Sequence, residues 1–124
     1  MGAIHVTVQL KPLGAGRGYE GIFLVDTGAT DSMAPRPELT AAGIHPVGKT
    51  TYEHADGSVH EYEFGLVQIE FMGEITAGRV IFGPEGSEPL LGVTALESVG
   101  IAVDPANRTL HRLPAVPLKQ LRVA

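Results

Sequence analysis

Sixteen glycines and nine prolines punctuate the 124 residues, and the apolar residues between them fall in short runs that alternate with polar ones. That alternation has the period of a half-buried strand, and the frequent Gly and Pro end each run before a long helix can form. Ile4 to Leu10 (IHVTVQL) alternates cleanly, Lys11 to Gly18 is turn-rich, and Tyr19 to Val25 returns as a second strand. Thr50 to His54 and Val59 to Phe64 read as a hairpin about Asp56-Gly57, a pair that accepts the positive φ angles of a tight turn. Further strands are expected at Leu66 to Phe71, Thr76 to Phe82, Ile101 to Val103 and Thr109 to Leu113, the last two about an Asp104-Pro105 turn. Val93 to Val99 has apolar residues at 93, 96 and 99 and reads as two helical turns ended by Gly100. The expected class is all-β with one short helix, and residues 1–124 read as one domain without repeat or linker.

Charge and composition exclude several functions. A formal net charge of −5 offers no basic footprint for nucleic acid or an anionic membrane. The chain has no cysteine, which removes thiolate metal sites and cysteine nucleophiles together. Apolar runs are too short to span a bilayer, and Met1 to His5 lacks the basic start and apolar run of a secretory signal, so a cytoplasmic location is expected. Gly14, Gly16 and Gly18 resemble a phosphate loop only superficially, because a β-branched and aromatic strand follows them instead of a helix start. Five histidines raise the question of a metal. His54 and His60 flank the hairpin turn and are placed to face each other, yet no His-Glu-x-x-His pattern occurs, and no metal or other cofactor is expected.

Chemistry concentrates in Phe23-Leu24-Val25-Asp26-Thr27-Gly28-Ala29-Thr30. An apolar strand runs into a carboxylate and anchors it, Gly28 permits a tight turn, and the Thr27 and Thr30 hydroxyls can bond local backbone. An ordinary Asp-Thr-Gly turn would use the same residue types, but it does not require three apolar residues leading into a five-residue polar and small segment.

Val25-Asp26-Thr27-Gly28-Ala29-Thr30 resembles the active-site loop of the retropepsin-like aspartic proteases. Pro89-Leu90-Leu91-Gly92, running into the Val93 to Val99 helix, resembles that family's apolar-apolar-Gly element, and the Asp56-Gly57 hairpin stands between the two where the family has its flap. The order and approximate spacing agree from about residue 4 to residue 113. The resemblance implies a single-lobe barrel with a flap and a peptidase using Asp26, Thr27 and Gly28 as its catalytic loop. It further implies that Ala29, Thr30, Asp31, the flap residues Ala55, Asp56, Gly57 and Ser58, and the apolar pair Leu90 and Leu91 border an extended peptide substrate. Only one Asp-Thr-Gly occurs, so a second carboxylate has to come from a second copy, and a homodimer is expected. Retroviral members usually carry an acid where this chain has Thr30, and the first acid after the loop here is Asp31; cellular and bacterial members commonly carry Ser or Thr at the Thr30 position, so the chain resembles the cellular or bacterial type. The alternative is a catalytically weak or inactive module that dimerises or binds peptide. The tail Pro114 to Ala124 has no counterpart in the resemblance and is free to pair at an interface, dock elsewhere or stay disordered.

Overall fold

A computed structural model describes residues 3–116. Among the described residues, nine strands and two short helices follow one another. Strand β1 is His5–Pro12, β2 Tyr19–Asp26, β3 Ser32–Pro35, β4 Gly48–Glu53, β5 Val59–Phe71, β6 Glu74–Gly83, β7 Leu90–Gly92, β8 Ile101–Asp104 and β9 Thr109–Arg112. Helix α1 is Arg36–Ala41 and α2 is Val93–Ser98. Neighbouring strands run in the order β1-β2-β7-β3-β6-β5-β4, and an additional β1–β5 pairing closes six of them into a barrel. Closure removes the exposed edges that would otherwise recruit other chains. Only β4 is left hanging, bonded to β5 alone, while β8 and β9 form a separate two-stranded ribbon.

Alternation explains the core. Val8 and Leu10 of β1, Phe23 of β2, Val67, Ile69 and Phe71 of β5, and Val80 and Phe82 of β6 all point into the barrel. Leu96 and Ile101 close one end and Leu39 another part of the same cluster. The mostly-strand, single-lobe expectation therefore holds.

Strand β3 was not expected, β1 runs on to Pro12 and β4 begins at Gly48; three further departures have a clear physical cause. Helix α1 is a second helix where only one was expected. Pro37 sits in its first turn, where a missing N–H costs nothing, Glu38 lies beside it, and Leu39 supplies one fully buried anchor. The prolines at 35 and 37 read as breakers because six residues are too few to show a helical period. Second, β5 is one strand of 13 residues and does not stop at Phe64. Gly65 is buried mid-strand under α1's exit, and a Cβ there would lie 3.0 Å from the His45 carbonyl oxygen. Its glycine marks a close approach, not a turn. Third, β6 begins two residues earlier than expected, at Glu74, because Met72 (φ 52°) and Gly73 (φ 77°) make the tight turn that joins it to β5. The glycine-rich 14–18 segment is a connection whose Gly18 amide donates to the Ala42 carbonyl (3.1 Å). Residues 117–124 of the tail lie outside the described residues; residues 114–116 are exposed.

Successive residues of β7 face opposite ways, so Leu91 is fully buried whereas Leu90 is only partly so. Truncating Leu91 to Ala is expected to cost about 2–5 kcal/mol in urea denaturation, and truncating Leu90 about half of that or less.

Candidate active site

Strand β2 ends at Asp26, and the chain leaves the sheet there because β7 stops beside it. The two strands pair in parallel, with Leu24, Val25 and Asp26 opposite Leu90, Leu91 and Gly92. The loop that follows is fixed from several directions. The Gly28 amide donates to Asp26 Oδ1 (3.0 Å), and the Ala29 amide to the Asp26 carbonyl (3.1 Å). From below, the first two amides of α2 reach up: Val93 N–H donates to the Ala29 carbonyl (2.8 Å) and Thr94 N–H to that of Thr30 (3.2 Å). The Gly92 amide donates to the Ser32 hydroxyl (3.0 Å), and Ser32 is the one buried polar side chain among the described residues. Gly92 lies so close to the loop that a Cβ would stand 2.6 Å from the Asp31 carbonyl carbon and 2.9 Å from the Thr30 oxygen. The apolar-apolar-Gly element is therefore the bed on which the Asp26 loop lies.

Above the loop stands a hairpin formed by β4 and the start of β5, paired from Gly48↔Phe64 to Glu53↔Val59. Its turn closes through His54 N–H to the Ser58 carbonyl (2.8 Å) and Gly57 N–H to the His54 carbonyl (2.9 Å), with Gly57 at φ 87°. Asp56 Oδ1 accepts from both the hydroxyl (2.6 Å) and the amide (2.9 Å) of Ser58. These bonds, the side-chain one first, hold the Asp56 carboxyl below the usual carboxylate range. The turn thereby keeps its acceptor ionised into more acidic solution than a free aspartate would.

Between hairpin and loop lies a cleft of about 540 Å³. Asp26, Gly28, Ala29, Thr30, Asp31, Ala55 and Leu90 line it, so the structure gathers seven of the residues singled out in the sequence. The remaining five are elsewhere. Leu91 is in the core, because alternation turns it away from the cleft. Asp56, Gly57 and Ser58 sit at the hairpin tip beyond the lining. Thr27 faces the opposite side of the loop, onto a second, apolar groove of about 650 Å³ whose walls include Val93, Leu96, Ile101, Val103 and Leu113.

Sequence reasoning missed Tyr52, Tyr62, Met33 and Ile81, which also line the cleft. The signal was present for Tyr52: Gly48, Thr50 and Tyr52 alternate with more exposed neighbours along β4 and share its inner face. His54 and His60 do stack edge to face, with ring centroids 4.7 Å apart. No third metal-binding side chain joins them among the described residues. The acids across the hairpin have ordinary partners, Glu61 with Lys49 (3.9 Å) and Glu63 with Arg36 (2.5 Å).

The site is thus a carboxylate on a clamped loop, lying under a hairpin and backed by a parallel strand pair. The model of the family described as "gag-polyprotein putative aspartyl protease" matches residues 16–98. The chain belongs to that family. The match takes in the Asp26 loop, the hairpin, β7 and α2 of the retropepsin-like domain; the β8–β9 ribbon follows it. No curated protein matches the chain. No helix among the described residues of this aspartyl protease-like domain is long and apolar enough to cross a membrane.

The Ser32 hydroxyl links β7 to the segment leaving the loop, and removing it leaves the buried Gly92 amide without an acceptor. Ser32→Ala is expected to lower the unfolding free energy by about 1–3 kcal/mol, read from the denaturation midpoint at unchanged slope.

Proposed function

We propose that the chain is an aspartic endopeptidase that hydrolyses peptide bonds with water activated between the Asp26 carboxylates of two copies in a homodimer. The observation that carries this reading is the setting of Asp26. Its side chain is half-exposed at the floor of the cleft, one oxygen held by the Gly28 amide, on a loop tied by hydrogen bonds to the start of α2 and packed against β7. A structural aspartate in a turn has no use for a cleft above it.

One loop supplies one carboxylate, and the chemistry needs two. Thr27 supports assembly of a pair, because it is exposed and opens onto the apolar groove on the far side of the loop, a surface that a second copy would cover. Carboxylates about 3 Å apart share a proton, since like charges at that separation do not both ionise readily. The ionised member takes a proton from water, which attacks the scissile carbonyl. The protonated member donates its proton to the carbonyl oxygen; the proton taken from water then passes to the leaving amine as the C–N bond breaks, and the gem-diol hydroxyl returns its proton to the second carboxylate as the new carboxyl group forms. The two apparent pKa values belong to the pair.

The hairpin acts as a flap. Substrate lies extended between it and the loop, with Gly28, Ala29, Thr30 and Asp31 beneath and Ala55 to Ser58 descending from above. Leu90, with Met33 and Ile81 nearby in the cleft wall, favours apolar side chains next to the cleaved bond.

Asp26→Asn keeps the shape of the side chain and removes its ability to hold and return a proton. Cleavage of a mixed peptide library between about pH 3 and 8 is expected to fall at least a thousandfold in the variant while the folded fraction stays the same. Sedimentation at micromolar concentration is expected to give about twice the 13.1 kDa chain mass for both proteins. A folded wild type that binds peptides but cleaves none would instead identify a binding module.

A further inference from the structure

Strand β4 is bonded to β5 alone, so the hairpin needs other ties if it is to keep a defined height over the Asp26 loop. Two side-chain ties reach β4 from the body of the barrel. Arg79 of β6, stacked over the Phe64 ring at 4.1 Å, donates to the Thr50 hydroxyl (2.9 Å). Farther toward the tip, the Tyr52 hydroxyl donates to Asp31 Oδ2 at 2.5 Å, across 21 residues of sequence and directly onto the segment that follows the catalytic loop.

We propose that Tyr52 is a positioning residue, whose hydrogen bond to Asp31 sets the height of the hairpin above the Asp26 loop and the orientation of the Asp31 carboxylate in the cleft. Three observations support it. Both partners are half-buried and line the cleft, where a hydrogen bond to a carboxylate is worth more than at an exposed surface. Asp31 has no cationic partner among the described ion pairs, so the tyrosine is its one side-chain donor there. The bond also passes into the hairpin. The Tyr52 ring meets the Tyr62 ring edge-on (centroids 6.1 Å apart), the Tyr62 hydroxyl hydrogen-bonds His54 Nε2 (3.1 Å), and His54 stacks on His60. Holding Tyr52 therefore holds the side chains next to the turn.

The donor side of this tie holds through acidic and neutral solution. Burial first, then the hydrogen bond and charge of Asp31, push the Tyr52 hydroxyl up to about 12 against the opposing pull of the Arg79 guanidinium. A raised value in the folded state means that its contribution is complete below the unfolded value of 10.0 and is lost only as the pH climbs toward about 12. The donor is thus protonated through the acidic and neutral range.

The kinetic part of this inference rests on the peptidase reading; the structural part rests on geometry alone. Two measurements on full-length protein separate them. In the Asp26→Asn background, Tyr52→Phe is expected to speed hydrogen exchange of the His54 and Gly57 amides about tenfold or more, with exchange in β1 and β2 unchanged. In active protein, Tyr52→Phe is expected to raise KM about tenfold with kcat within about twofold, the pattern of lost substrate binding, and not of lost transition-state chemistry. Adding Asp31→Ala, which removes the acceptor, to Tyr52→Phe, which removes the donor, should change KM by much less than the product of the two single effects, because each alone already breaks the same bond. Wild-type exchange rates in Tyr52→Phe, or fully multiplicative effects of the two substitutions, would overturn the proposal. A wild type that cleaves nothing would contradict the peptidase reading, and the exchange measurement would still decide the tie.

Discussion

Everything chemical in this molecule depends on the lateral pairing of two segments more than sixty residues apart in sequence. Strand β2 delivers Asp26, and β7 with the start of α2 supplies the surface against which the loop after Asp26 is pressed. Two helix-start amides answer two loop carbonyls, the Gly92 amide answers the Ser32 hydroxyl, and the absent Cβ of Gly92 lets the backbones come that close. Orphan amides at a helix start and orphan carbonyls in a loop would each be costly if buried alone. Joined, they satisfy one another and stiffen the loop in the same step, which gives a carboxylate a fixed direction at the mouth of a cleft.

The barrel around this pairing is generic by comparison. Its alternating strands were legible from residue order, because burial on one face writes a period of two into the sequence. The Asp26 loop was legible for a different reason: a polar, glycine-bearing turn after an apolar strand is a local feature, and the second motif lay downstream in the right order. Other features left fainter traces. Helix α1 has six residues and one buried anchor, too little for a period to appear, and its prolines are tolerated only because they precede the hydrogen-bonded turns. Gly65 looked like a break because sequence does not reveal that Ile44 and His45 cross above it. Leu90 and Leu91 looked equivalent, and only the register of β7 sends one to the cleft and the other to the core. The contact between Tyr52 and Asp31 is set by how the hairpin folds back over the loop, a tertiary fact with no local signature.

Polarity is distributed across the two faces of the loop in a way that suits the proposed assembly. Toward the cleft it presents Asp26, Thr30 and Asp31; on the other side, Thr27 meets an apolar groove built by α2, β8 and the residues just after β9. An exposed apolar groove beside the Asp26 loop is costly for an isolated chain and useful for one that pairs. The hairpin turn is braced by the Ser58 bonds to an Asp56 carboxyl that those bonds hold below its usual range.

The claim most exposed to test is that one active site takes Asp26 from each of two copies. Wild type and Asp26→Asn can be mixed in equal amounts, left to exchange subunits, and assayed at constant total concentration. Random pairing leaves about a quarter of the dimers with two aspartates, so activity should fall to about one quarter of the wild-type value. A fall to only about one half would mean that each copy works by itself, and the shared-carboxylate account would be wrong.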